Sequence, residues 1–194
     1  MTALAAKMIW FVGLVGWFII RYPHQRRSRR IAKVRQSDRR REILLMSISF
    51  SGLFVVPLFY VITDQPRFAN YEFRPLLAWL GVLTVILFLV LFYRTHKDLG
   101  RFWSVTLEIR EGHALVTQGV YSRVRHPMYA AFWLCAVAQA LLLPNWIAGL
   151  SGLIGFGTLF FLRVGKEERL MLETFGDEYR QYMARTNRII PGIY

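Results

Sequence analysis

Five long apolar runs, near 4–20, 43–62, 75–93, 128–143 and 146–163, leave few folds open to this chain. A helix needs roughly 20 apolar residues to cross a hydrocarbon layer of ~30 Å. The second and third runs meet that length. The last two are shorter, and "LLPNWIAG" divides them; Pro144 and Asn145 make a turn signal inside an otherwise continuous apolar region. The expectation is a tight helical hairpin over 128–163. The alternative is one kinked span, which would put the C-terminus on the other side.

The chain has 194 residues, 55% of them hydrophobic, yet carries a formal charge of +13. One domain, 1–194, is expected at this length. A soluble domain this apolar would expose large patches and aggregate. A nucleic-acid binder explains the charge but not the apolar runs. A membrane protein explains both, provided the charge is sorted to one side.

It is sorted. Ten Lys/Arg fall within 21–41, six within 94–127 and six from Arg163 onward, while the loop 63–74 balances Arg67 and Arg74 against Asp64 and Glu72. Basic loops stay on the cytoplasmic side. Segments 21–41, 94–127 and 163–194 are therefore placed there, which requires 128–163 to cross twice. The expected fold is an all-α, multi-pass integral membrane protein of about five transmembrane helices, with an outside N-terminus. The Arg-rich stretch follows the first run, the reverse of a cleaved leader, so an uncleaved first span is expected. Residues 21–41 have no aromatic interleaving beyond Tyr22, which favours topology anchoring and membrane lipid over nucleic acid. The single cysteine, Cys135, allows no internal disulfide, and no Cys/His set suggests a metal.

Past the last run the sequence is mixed polar and apolar. Leu170, Leu172, Phe175, Tyr179, Tyr182 and Met183 supply one apolar side at roughly helical spacing. Gly176 breaks the pattern and Asp177 is placed to cap a second helix. Two amphipathic helices, ended by Pro191, are expected to form a cap over 164–194.

Three stretches carry chemistry. In "GVYSRVRHPMYAAFW", Pro127 suits a first helical position, where its missing N–H costs nothing. The helix start has free N–H groups and partial positive charge. Arg123, Arg125 and His126 add donors, so this turn either holds a carboxylate or phosphate or carries interfacial arginines beside a cap. "HALV" (113–116) is too short to span and is either an extended strip lining a ligand or a plain loop. Arg163 and Glu167 lie four apart on one helix face where lipid gives way to water, as a site or as a structural ion pair; Lys166 and Glu168 point elsewhere, toward solvent. No Walker loop, GxGxxG or HExxH is present, and no Ser-His-Asp set is apparent.

Taken in order, "HALVTQGVYSRVRHPMY", an apolar hairpin and "RVGKEERLMLETFGDEYRQYMARTNRIIP" resemble the isoprenylcysteine carboxyl methyltransferases over roughly residues 95–191. The resemblance implies a membrane enzyme that uses S-adenosylmethionine. Its substrate would be the α-carboxylate of a C-terminal isoprenylated cysteine arriving from the bilayer, and its site would face the cytoplasm. It implies that His113, Ala114, Leu115, Val116, Tyr121, His126, Pro127, Met128 and Tyr129 enclose the cofactor, with Glu167 contacting it. Arg163 would hold the substrate carboxylate, and His126 with the following helix start would anchor the cofactor's own carboxylate. Two other readings stay open: a phospholipid amine N-methyltransferase, which needs a base more than an arginine, and an NADPH-dependent membrane sterol reductase, whose motif has an asparagine-tyrosine pair where this chain has Pro127-Met128-Tyr129.

Overall fold

A computed structural model describes residues 1–28, 33–36, 39–100, 108–110 and 115–194. The apolar runs are all helical. Helix α1 spans Ala3–Ser28; α2 (Arg39–Phe50) continues through a π-helical turn, Ser51–Val55, into α3 (Val56–Thr63). Helix α4 spans Pro75–Leu99, α5 Pro127–Leu142 and α6 Trp146–Arg185. Ala3–Arg26, Arg40–Thr63, Pro75–Leu99 and the first part of α6 are long and apolar enough to cross a membrane. Helix α5 is different: its 16 residues cover about 24 Å, less than the ~30 Å hydrocarbon layer. It is packed between α4 and α6 rather than standing at the edge of the bundle.

The architecture is all-α as expected, and two features differ from the expectation in detail. Strands β1 (Lys33–Gln36) and β2 (Glu108–Arg110) form a short antiparallel ribbon, with Lys33 opposite Arg110 and Gln36 opposite Glu108. Each carries a β-branched residue between polar ones, too little to register as a strand in sequence; pairing the two segments satisfies their backbone groups. The second departure is the tail. The break at Gly176 falls where expected and divides the tail into two helical parts; what differs is that the first part is the direct continuation of the last apolar helix, so that α6, counted across the kink, runs 40 residues to Arg185. Its one interruption is Gly176, at φ 52°, ψ −122°. Asp177 accepts from the Arg180 guanidinium at 2.6 Å. The helix ends at Arg185, ahead of Pro191.

The Pro144-Asn145 turn does more than reverse the chain. Buried Asn145 caps α6, its Oδ1 accepting from Ile147 N–H at 3.1 Å and Ala148 N–H at 2.9 Å. Its Nδ2 donates to the Pro66 carbonyl at 2.8 Å and to Asn70 Oδ1 at 2.7 Å. One side chain thus fastens the α5–α6 hairpin to the α3–α4 loop, at the pole away from the basic segments.

At mid-depth the π-turn makes the tightest helix contact. Among apolar helices in lipid, association depends on close packing and on polar groups that bond across the gap. The Gly52 carbonyl accepts from Gln139 Nε2 of α5 at 3.1 Å and from the Ser151 hydroxyl of α6 at 2.8 Å. A Cβ at Gly52 would sit 2.2 Å from the Ser151 carbonyl oxygen, and one at Gly155 would sit 2.8 Å from the Ile48 carbonyl oxygen. Backbone cannot yield there as a side chain can. Gly52→Ala is expected to cost about 1–3 kcal/mol. Gly165→Ala, with nothing within 4 Å of the added carbon, stabilises the helix by up to about 1 kcal/mol. Thermal unfolding of the two variants in detergent checks the opposite signs.

Candidate active site

The basic pole of the bundle holds a cavity of about 840 Å³. Its walls differ in chemistry. Trp17, Leu53, Phe54, Phe132, Phe156 and Leu159 supply an apolar side from α1, the π-turn, α5 and α6. Glu42, Tyr121, His126, Tyr129, Arg163 and Glu167 supply a polar side. Ile43 and Phe50 line the cavity and are also about half exposed, so it reaches the outer surface of the bundle along α2.

Fold and burial place each polar group. Pro127 opens α5, which turns Tyr129 inward against α6. The Tyr129 hydroxyl donates to Glu167 Oε2 at 2.5 Å. Its ring stacks on His126, centroids 5.4 Å apart, and packs edge-on against Phe160. One turn before Glu167, the buried Arg163 brings Nε to 3.2 Å from Glu42 Oε2, across the gap to the first turn of α2. His126 Nδ1 lies 3.9 Å from Glu167 Oε1. Burial, reinforced by Glu167, pushes the Tyr121 phenol well above its ordinary pKa, so it remains a neutral hydroxyl.

Behind this wall a second carboxylate closes the structure. Glu168 Oε1 accepts from Arg125 Nη2 at 3.0 Å, and Glu168 Oε2 accepts from Arg188 Nη2 at 2.8 Å. His126 Nε2 approaches Glu168 Oε1 at 3.4 Å; since a carboxylate only accepts, that nitrogen carries the proton. Arg125 also donates to the Met183 and Thr186 carbonyls. Backbone bonds add to the seam: Arg125 N–H reaches the Asn187 carbonyl and His126 N–H the Arg188 carbonyl, both at 2.8 Å. Tyr182 donates to the Tyr121 carbonyl at 2.6 Å.

Of the residues singled out in sequence, Leu115, Val116, Tyr121, His126, Pro127, Met128, Tyr129, Arg163 and Glu167 all border the one cavity. His113 and Ala114 lie outside the described residues. Three readings are corrected. Glu168 is not solvated but buried, because two guanidinium groups and the His126 ring converge on it. Arg125 is not a donor for an external anion, since its guanidinium is taken up by Glu168 and the tail. Arg123 is exposed and does not border the cavity. Sequence reasoning also missed Glu42, Tyr179 and Tyr182, which border it. Glu42 had a signal: it is the only acidic residue within the Arg40–Thr63 span apart from its end.

The lining suits a ligand with a cationic group and flat or apolar parts. Glu167 offers negative charge at an apolar boundary, and Tyr121, Tyr129 and His126 offer ring faces. The volume lies within the usual range for small-molecule sites of about 300–1,000 Å³.

Fold and cavity define a helical membrane protein with a small-molecule site at one pole. Residues 79–173 match the model of the isoprenylcysteine carboxyl methyltransferase (ICMT) family. A protein-S-isoprenylcysteine O-methyltransferase of Schizosaccharomyces pombe is 37% identical over 81 residues, which are 42% of this chain and 34% of that protein. A probable protein-S-isoprenylcysteine O-methyltransferase of Oryza sativa subsp. indica is 25% identical over 163 residues, 79% of this chain and 84% of that one. The solved eukaryotic intramembrane Ras methyltransferase superposes with a TM-score of 0.51 at 24% identity, over 81% of this chain and 54% of its own. Over residues 79–173, just under half of its length, the chain is similar to the isoprenylcysteine carboxyl methyltransferase family. It spans about a third of the length of the Schizosaccharomyces pombe and Dictyostelium discoideum relatives, 34% and 37%.

Burial alone would raise the Glu168 pKa, but hydrogen bonds from His126, Arg188 and Arg125 hold it down to about 2. Its contribution to stability is therefore complete above the ordinary carboxylate value of about 4.3 and is lost as pH falls from there toward about 2. Glu168→Gln is expected to cost about 3–5 kcal/mol at neutral pH, as removal of one partner from a buried charge cluster does. It should also flatten the acid dependence. Asp177→Asn, at an exposed pair, should change stability by less than about 1 kcal/mol. Unfolding temperatures between pH 7 and the acid limit check both.

Proposed function

We propose that this protein esterifies the α-carboxylate of an isoprenylated cysteine, or of a similar prenylated acid, using S-adenosylmethionine at the cytoplasmic face of the membrane. One observation carries the reading: Arg163 and Glu167, of opposite charge, stand one turn apart on a single helix at the polar end of an otherwise apolar cavity. That pattern suits a substrate with an anionic head and a hydrocarbon tail beside a cationic cofactor.

The donor supplies an electrophilic methyl on a sulfonium; a carboxylate oxygen takes the methyl carbon, the carbon–sulfur bond breaks and its electron pair stays on sulfur. No proton moves, because an α-carboxyl group with pKa near 3.5 is already ionised at neutral pH. A general base is therefore unnecessary, and the protein's task is positioning. Arg163 holds the carboxylate at a fixed orientation. Glu167, oriented by the Tyr129 hydroxyl, faces the cationic part of the cofactor. Tyr121, Tyr129 and His126 give it ring surface, and Leu115 and Val116 border it as well.

Membrane geometry supports the same assignment. With Asn145 at the far interface, the ~24 Å of α5 falls short of the near one by about 6 Å. Pro127 and the polar wall are thus sunk into the hydrocarbon layer, where a prenyl tail resides, and the tail's route would lie past Ile43 and Phe50. The basic segments on that pole support a cytoplasmic orientation, the side from which a charged cofactor would come.

Detergent-purified protein is expected to bind S-adenosylhomocysteine in calorimetry and to methylate a prenylcysteine acid. Arg163→Ala should leave that affinity within about threefold while lowering turnover by about 10²-fold or more. Turnover at the parental rate would remove the carboxylate-holding role. Failure of the parent protein to bind S-adenosylhomocysteine while it binds NADPH would point to reductase chemistry instead.

A further inference from the structure

Glu42 belongs to the N-terminal half, outside the matched segment 79–173, and nothing in the reaction as derived uses it. It is nonetheless buried, borders the cavity and brings Oε2 to 3.2 Å from Arg163 Nε. Burying a carboxylate is costly unless its charge is matched, and here the match is the residue assigned to hold the substrate. On the proposed reading, Arg163 must meet two carboxylates at once, one fixed and one brought by the substrate. A guanidinium has five N–H donors and serves both.

From this we infer that Glu42 is a positioning residue that tempers Arg163. An arginine facing a lone substrate carboxylate would bind it tightly and draw electron density from the oxygen that must attack. Glu42 shares the positive charge. The substrate is held less firmly but keeps more of its nucleophilicity, and uniform ground-state binding is exchanged for rate. The contact is an ion pair by distance rather than an aligned hydrogen bond, so Glu42 biases Arg163 without fixing it in one direction. Among the described residues, Glu167 on the next turn of α6 also faces the pair, with the titratable His126 ring behind Tyr129. Glu167 is turned toward Tyr129, which leaves Glu42 as the carboxylate contributed from a different helix.

The inference rests on the proposed function, and the test separates the two. N-acetyl-S-farnesylcysteine and its methyl ester are titrated into the full-length protein saturated with S-adenosylhomocysteine, so that no turnover occurs. If the parent binds neither the acid nor S-adenosylhomocysteine, the proposed function fails, and this inference with it. If the parent binds the acid, Glu42→Gln should bind it about tenfold more tightly, because a like charge has been removed. The neutral ester should bind as before. In steady state KM for the acid should fall and kcat should fall with it, about fivefold. Glu42→Asp, which keeps the charge, should hold the parental ratio of acid to ester affinity. Weaker acid binding in Glu42→Gln, or equal shifts for acid and ester, overturns the inference, since packing would then be the cause. Should Glu42→Gln fail to fold, Glu42→Met is the second charge-free variant and is read by the same ratio.

Discussion

Glu168 is the interaction on which the site's shape depends. It is one buried carboxylate at the point where the α6 helix, the turn before α5 and the C-terminal tail meet, and it accepts from a residue on each of the last two as well as from His126. Two guanidinium groups held together there would be unfavourable without the anion, and the anion would be unfavourable without them. Because His126 lies between Glu168 and the cavity, the same cluster that fastens the tail also orients a ring of the cavity wall. The two consecutive glutamates of α6 thus divide the work. Glu167 faces the cavity and Glu168 faces the scaffold, as expected for neighbours about 100° apart on a helix.

That division explains why α6 is unbroken as far as Gly176. Arg163, Glu167 and Glu168 need fixed relative positions to within a fraction of an ångström, and a break between the apolar part and the tail would lose that register. The only conformational relaxation, Gly176 with its positive φ, comes after all three. Beyond it, Tyr179 and Tyr182 return to the cavity, and Tyr182 is tied to the Tyr121 carbonyl. The far pole is organised by a similar economy, in which Asn145 alone caps α6 and joins two loops.

Much of this was legible in sequence, and the reason is physical. Hydrocarbon forces long apolar helices, and charge asymmetry sorts their ends, so the runs and the Pro144-Asn145 hairpin could be read directly. Most of the polar side of the cavity could be read too, because its residues form ordered short motifs between Tyr121 and Glu167. What escaped were partnerships across the fold. Glu168 looked solvated because a helical face shows nothing of what packs on it, and the cations that bury it come from 43 residues before and 20 after. Arg125 looked like an external anion's donor for the same reason. Glu42 stood out only as an acid inside an apolar span, and its partner lies on another helix. The β1–β2 ribbon escaped because strands of three and four residues carry too little pattern to distinguish them from loop.

On the proposed reading, the electrostatics of the cavity also bear on how a turnover ends. Methylation abolishes the charge that Arg163 holds. The ester has lost its anchor to the polar wall while keeping its attraction to the apolar one, so its favoured path is outward along α2 into lipid. Departure of the substrate charge would ordinarily strand a buried guanidinium, a costly state in a site sunk below the interface. Glu42, 3.2 Å from Arg163 and part of the protein itself, offsets that charge. A permanent internal carboxylate lets the arginine serve a transient external one, so the empty and occupied sites both stay close to electrical balance.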